Sequence, residues 1–312
     1  MLTFLLLTLL QLNQIDYSST LFQLNNKEKE QIIYSLMNNE YEPPFRIHRS
    51  LPPVSNSVFD NPARLISAQS ASVIDTMSGL VLWQKNPNQI LPIASLTKLM
   101  TAIIFLETNT DFNKEITIEQ DDTSNIIGSR IVVQPGETFT VEDLFYASLV
   151  GSANNATKAL ARSTGLSEEE FVRRMNGKAV ALGLNATSFS EATGLNPNNT
   201  STVTEYGRVA SYAFRYDLIK DALNRREHEF RTVDQKKYYR ISNTNKLLTD
   251  TELSLIGAKT GYLQEAGNTF VSQAQEGGQS IIVVLLHSDS SDTRFAETKE
   301  LFNWAFRNFT WY

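Results

Sequence analysis

A serine and a lysine stand three residues apart in the apolar stretch IASLTKLMTA, at Ser95 and Lys98. On a helix, positions i and i+3 share a face, so the hydroxyl and the amine can meet. A free serine is a weak nucleophile and needs an adjacent base. The chain has three histidines, His48, His228 and His287, far apart in sequence, and no GxSxG turn accompanies them. Lys98 is therefore the candidate base. An ordinary lysine titrates near about 10.4 and is charged at neutral pH. Lys98 must then be made less basic, by burial or by a second cation close by. Leu96, Leu99 and Met100 surround it with apolar side chains and argue for burial over a solvated surface position.

Two further motifs follow in order: S-A-N at Ser152 to Asn154, and K-T-G at Lys259 to Gly261. Each of the three patterns occurs once in the chain. Alone each is weak; S-A-N also suits a plain helix cap, where Ser and Asn are favoured. Together they are strong, because S-x-x-K opens a helix, S-A-N falls in a turn between two helices and K-T-G falls on a strand. Lys259 would supply the second cation if its strand faces the same cleft as Lys98. Lys259 and Thr260 suit recognition of a carboxylate, as a compact point charge beside a hydroxyl donor. Gly261 lets the strand approach a bound backbone closely.

Composition removes several function classes. A 312-residue chain, 41% hydrophobic and 20% charged, suits one large domain or two modest ones. A net charge of −6 and an isoelectric point near 5.3 leave no basic stripe for nucleic acid. The lack of cysteine excludes disulfides, thiol nucleophiles and thiolate metal sites. No histidine sits in a metal-ligand spacing such as HExxH, so neither metal nor cofactor is expected.

The N-terminus, MLTFLLLTLLQLNQ, is apolar over a length too short to span a bilayer and suited to a secretion signal. It lacks a positive leading region and a small-x-small cleavage site, so residues 1–12 read as a signal peptide or its remnant. Residues 13–62 read as a polar, Pro-rich segment with two Pro-Pro pairs, and 63–312 as the catalytic domain.

The elements that must hold the motifs follow from pattern. ASVIDTMSGLVLW reads as a hairpin around a Met-Ser-Gly turn. The helix carrying Ser95 and Lys98 has apolar positions at Leu99, Ile103, Ile104 and Leu106. Thr140 with Asp143 and Ser167 with Glu170 fit the capping-box spacing, which predicts helices near 141–150 and 168–182. Another is expected at 204–215. EFRTV, KYYRI, LIGAKTGYL, NTFVSQAQ and SIIVVLLHS read as strands, and SDTRFAETKELFNWAFRNF as an amphipathic helix with Phe295, Leu301, Phe302 and Phe306 on one side. Strands from both ends of the domain would then share one antiparallel sheet flanked by helices. An all-helical lobe would sit beside the sheet, with a cleft between them.

The segments GAKTGYLQEAGNTFVSQAQ, LVGSANNATKALA, FSEATGLN and LFNWAFRNF, with the three motifs, resemble those of the D-alanyl-D-alanine carboxypeptidases, the low-molecular-mass penicillin-binding proteins. The resemblance covers roughly residues 65 to 309. It implies an α/β fold of the α+β, β-lactamase/transpeptidase-like type. It also implies acyl transfer from a peptidoglycan stem peptide ending in D-Ala-D-Ala to Ser95, with β-lactams acylating the same serine. That substrate places the site outside the cytoplasmic membrane, in the periplasm or cell envelope. Ser152 would relay a proton between Lys98 and the leaving amine, and Asn154 would hold a substrate amide or orient Lys98. The backbone N–H groups of Ser95 and Tyr262 would form the oxyanion hole, and Arg294 matches a family arginine near the substrate carboxylate.

Three features set this chain apart from neighbouring families or from the usual pattern of its own. Class A β-lactamases carry a Glu and an Asn four apart on a loop that activates the deacylating water. Here Glu191 and Asn196 are five apart, so Glu191 reads as a loop residue. The usual aspartate after TGLN appears as Glu205. Only 51 residues follow Gly261 (312 − 261), enough to finish the sheet and last helix without an extra C-terminal domain. Compact D,D-endopeptidases share that feature and are the nearest alternative; a non-catalytic penicillin- or peptidoglycan-binding protein is the alternative from another class.

Overall fold

The computed structural model describes residues 53–55, 61–108, 111–124 and 126–311. The signal reading for residues 1–12, and nearly all of the 13–62 segment with His48, lie outside the described residues. A five-stranded antiparallel sheet forms the frame. Its strands are β1 (Ser70–Asp75), β2 (Val81–Lys85), β3 (Ser254–Leu263), β4 (Gly267–Glu276) and β5 (Gln279–Ser288), in spatial order β3-β4-β5-β1-β2. The first hairpin and the last three strands thus share one sheet, as the sequence order suggested.

The central strand β5 explains why SIIVVLL carries no polar break. Ile281, Val283 and Leu285 pack on one face with Leu301, Phe302 and Ala305. Ile282, Val284 and Leu286 face the opposite way and join the lobe core. Side chains alternate across a strand, so a strand covered on both faces must be apolar throughout. Each such side chain contributes about 1.5–3 kcal/mol by burial.

The lobe consists of α1 (Lys98–Glu107), α2 (Val141–Val150), α3 (Asn154–Ser163), α4 (Glu168–Ala181), α5 (Val203–Ala213) and α6 (Asp217–Asn224); α7 (Ser291–Asn308) covers the far face. The cap signals locate two helix starts. Thr140 Oγ1 accepts from the Asp143 N–H at 3.1 Å and Ser167 Oγ from the Glu170 N–H at 3.2 Å, satisfying donors that a helix leaves open at its first turn. α5 fills the position expected at 204–215. A short pair, Val54–Ser55 with Phe309–Thr310, ties the chain on either side of this domain together.

Two expected strands lie elsewhere. Glu227–Arg231 and Tyr238–Ser242 form a separate two-stranded ribbon. Its alternation buries His228 and Phe230, and Phe230 and Tyr239 pack edge-on against Phe139. Alternation specifies which face is buried and not what buries it. In this chain the cover is the lobe. The ribbon also closes over the turn after α2: a Cβ on Gly151 would fall 2.0 Å from Ile241 Cδ1, so a larger residue before Ser152 would have to displace the Ile241 side chain.

Candidate active site

Ser95 lies in a 3-10 turn, Ala94–Thr97, that leads into α1 at Lys98. Ala94 adopts φ +49°, a left-handed conformation that costs a non-glycine residue about 1–2 kcal/mol. The surroundings hold it there. The Ile93 N–H donates to Asn199 O at 3.0 Å, Thr269 Oγ1 donates to Ile93 O at 3.1 Å, and Asn199 Nδ2 donates to Thr97 Oγ1 at 3.0 Å. The Tyr206 hydroxyl donates to Leu96 O. Leu91–Pro92 pairs with Thr200–Ser201, which brings the 190s loop against the same turn.

Lys98 is fully buried. Its Nζ lies 2.9 Å from Ser95 Oγ, 2.7 Å from Asn154 Oδ1 and 2.5 Å from Thr193 O. Two of those partners are carbonyl oxygens, which only accept. A neutral amine has two N–H donors and one lone pair. As an ammonium Lys98 donates to all three oxygens; as a neutral amine it would give its two donors to the carbonyls and keep its lone pair for the Ser95 O–H. Burial lowers the Lys98 pKa to about 7, against the opposing pull of the Glu191 carboxylate. The sequence expectation gave a neighbouring cation a share in this; burial is the main cause, and the cation coupling is felt by Lys259.

Asn154 is held on both sides of its contact with Lys98. Its Nδ2 donates to Ile127 O at 2.8 Å and its backbone N–H to Ser129 O at 2.8 Å. Both ends of the amide are thereby engaged within the protein, which favours the orienting role over the substrate-amide role. Ser152 sits at φ +57°, and its Oγ accepts from Lys259 Nζ at 2.8 Å. Among the described contacts Ser152 meets Lys259 and not Lys98. With its oxygen accepting, the Ser152 O–H is free to donate elsewhere.

Lys259 and Gly261 lie two apart on β3 and so share a face, the one turned to the lobe. A Cβ on Gly261 would lie 3.0 Å from Ser95 N and 2.3 Å from Thr269 Oγ1. On Gly194, at φ +86°, it would lie 2.8 Å from Ser95 N and 2.0 Å from Ala94 O. Two glycines therefore bracket the Ser95 amide. The Lys259 pKa is pushed well below its ordinary value, by burial first and then by Lys98 and Arg294. Lys259 Nζ also donates to Thr260 O at 3.1 Å. The Thr260 hydroxyl meets Thr244 Oγ1 at 2.5 Å.

Arg294, read from the resemblance as a family arginine near the substrate carboxylate, is buried. Its Nη1 donates to Gly261 O at 2.8 Å and Thr269 O at 3.3 Å, and Nη2 to Ser291 Oγ at 3.2 Å. It supports the K-T-G strand from behind, and burial lowers its pKa to about 10. Tyr262 extends beyond the strand into solvent, 65% exposed. Sequence reasoning missed the carbonyls of Thr193 and Ile127, and also Asn199 and Thr244. The carbonyls have no residue signature; Gly194 in TGL was the available hint to the first.

Glu191 is committed to its own loop. Oε2 accepts from Thr193 N at 2.6 Å and Thr193 Oγ1 at 2.5 Å; Oε1 accepts from Gly194 N at 2.6 Å and Asn199 Nδ2 at 2.9 Å. A carboxylate so occupied is not presented as a base for water. Glu205 takes up a comparable role, accepting from the Asn185 and Ala186 N–H groups and from Thr187. Among the described residues no cluster of His, Cys, Asp or Glu could hold a metal, and no helix is long and apolar enough to cross a membrane.

A family profile described as D-alanyl-D-alanine carboxypeptidase matches residues 57–290. A D-alanyl-D-alanine endopeptidase of Haemophilus influenzae is 36% identical over 74% of this chain and 80% of its own length. The D-alanyl-D-alanine carboxypeptidase DacF of Bacillus subtilis is 33% identical over 78% of this chain and 63% of its own, so the chain spans less than two thirds of that relative. The crystal structure of a Streptomyces DD-transpeptidase superposes with a TM-score of 0.73 at 27% identity, covering 78% of this chain and 98% of that one.

Proposed function

The chain belongs to the D-alanyl-D-alanine carboxypeptidase family of serine peptidases, and from that premise we propose that Ser95, Lys98, Ser152, Asn154 and Lys259 carry its reaction. The carrying observation is the buried Lys98 amine, its pKa lowered to about 7, set against two carbonyl oxygens and 2.9 Å from Ser95 Oγ; in its neutral form the carbonyls take both N–H groups and the lone pair is left for the Ser95 hydroxyl. Lys98 takes the Ser95 proton as Oγ bonds to the carbonyl carbon of the penultimate D-alanine of a peptidoglycan stem peptide. The oxyanion is held by the N–H groups of Ser95 and Tyr262; one such donor is worth about 3–4 kcal/mol of barrier. The C–N bond then breaks as the leaving amine takes the Ser152 hydroxyl proton, and the Lys98 ammonium replaces that proton on Ser152, which returns Lys98 to its neutral form. Lys259 frees that proton for donation by donating to the Ser152 oxygen. Water releases the acyl group by the same path in reverse.

Lys259 and Thr260, with Arg294 behind the strand, supply the field for the substrate's terminal carboxylate. β-Lactams acylate Ser95 in place of the peptide. A peptidoglycan substrate puts the working site outside the cytoplasmic membrane. The similarity to the H. influenzae endopeptidase, which extends over 80% of that relative, supports a second reading in which the same residues cut D-alanyl cross-links.

Intact-protein mass after incubation with a penicillin, on wild type and on Ser95→Ala, tests the reading. A wild-type adduct lasting many minutes and absent from the variant is expected. No adduct with the penicillin intact would remove the activated pair and leave a binding role. Penicillin consumed without an adduct would make the chain a β-lactamase. A stem pentapeptide and a cross-linked dimer, offered separately, divide carboxypeptidase from endopeptidase.

A further inference from the structure

One peptide group joins a carboxylate to the Lys98 amine. Gly194 N–H donates to Glu191 Oε1 at 2.6 Å, and the carbonyl of the same amide, Thr193 O, accepts from Lys98 Nζ at 2.5 Å. Glu191 also holds the preceding N–H, that of Thr193, at 2.6 Å. Its Oε1 further accepts from Asn199 Nδ2, which reaches Thr97 Oγ1 beneath the serine turn. An amide whose N–H is bonded to a charged acceptor is polarised, and its carbonyl becomes a stronger acceptor. We propose that Glu191 is a positioning residue of the Ser95–Lys98 pair, acting through the Thr193–Gly194 peptide group to aim the lysine lone pair at the serine. The proposal rests on the reading of Lys98 as the base.

The charged and titratable groups around the Ser95–Lys98 turn come from several elements. Lys259 stands on β3, Arg294 on α7 behind Gly261, Tyr206 on α5 with its hydroxyl on Leu96 O, and Glu191 on the loop. Asn154 from α3 is neutral, and Ser95, on the turn before α1, is the hydroxyl partner of Lys98. Glu191 brings the negative charge to this group. It holds Lys98 up against the depression by burial, so removing the charge lowers Lys98 further. Loosening the loop without that charge effect does the opposite: water enters and Lys98 returns toward its ordinary value.

The direction separates the two roles. The rate constant for penicillin acylation is measured against pH for wild type and Glu191→Gln, by intact mass, with adduct stoichiometry as the count of folded sites. A glutamine amide nitrogen cannot accept from Gly194 or Thr193. The expected result is full stoichiometry, a plateau rate constant lower by about tenfold, and an acidic limb displaced to lower pH by about 0.5–1 unit. An unchanged rate constant and limb, or a limb displaced upward, overturns the proposal. Should Glu191→Gln not fold, Glu191→Asp keeps the charge on a shorter stem. It is expected to hold the limb in place and lower the plateau; a wild-type plateau would overturn the proposal. A wild type that forms no adduct sinks the reading of Ser95 and Lys98 itself, which is a separate outcome.

Discussion

Lys98 and Lys259 are both fully buried lysines at one cleft, and they are wired in opposite ways. Lys98 sits among acceptors: two fixed carbonyls, one hydroxyl, and the Glu191 carboxylate one amide away. Its neutral form is fully satisfied, so burial yields a usable base near neutral pH. Lys259 has Ser152 Oγ and Thr260 O, with Lys98 and Arg294 adding positive charge. Its charged form is costly until an anion arrives. A carboxylate stabilises the ammonium by an amount that grows as the site dries. On the proposed reading, the same side chain, desolvated to the same degree, serves as a base where fixed carbonyls take its N–H groups and as an anion receptor where cations stand beside it.

The largest break in this comparison is Lys98→Met. Serine loses its proton acceptor, and the acylation rate constant by mass is expected to fall roughly 10³-fold, within the range for a positioned base. Wild type should show an acidic limb near pH 7. Lys98 must be neutral to act and its pKa is lowered from 10.5 to about 7, so the rate rises as pH climbs through that value. A limb near 9 or above would mean Lys98 is hydrated in solution. Next comes Lys259→Met, expected to lower kcat/KM for a peptide ending in a free carboxylate by roughly 10–100-fold, the size of a charge-assisted hydrogen bond. The loss should shrink for the C-terminal amide of the same peptide. Equal losses on both peptides would make Lys259 a partner of Ser152 and not a carboxylate receptor.

The roles of these lysines were open to sequence reading to different degrees. The three motifs name side chains whose type the chemistry fixes, and the structure brings Ser95, Lys98 and Asn154 into contact as a group. The starts of α2 and α4 were legible because a cap needs a specific oxygen at a specific spacing. The five-stranded sheet was legible because the unbroken apolar run of β5 demands cover on both faces. The 227–242 ribbon was misplaced because half-buried alternation does not name its partner. What tunes Lys98 was hidden for a different reason. Thr193 O and Ile127 O are backbone groups, and any residue has a carbonyl. Glu191 could be argued out of a water-activating role by its spacing, but its grip on the Thr193–Gly194 amide exists only once the loop is folded.

Thr244 is the smallest expected effect and sharpens the anion side. Its Oγ1 lies 2.5 Å from Thr260 Oγ1, and only one of two hydroxyls can donate along that line. If Thr260 is to donate to a substrate carboxylate, Thr244 must donate to Thr260. Thr244→Val keeps the shape and removes the donor. The expected loss is about threefold to tenfold in kcat/KM, carried mainly by KM, from a net hydrogen-bond contribution of about 1 kcal/mol. The C-terminal amide of the same peptide should show no difference between Thr244→Val and wild type. A carboxylate substrate equally indifferent to the change would take Thr260 out of the recognition and leave Lys259 to hold the anion through charge alone.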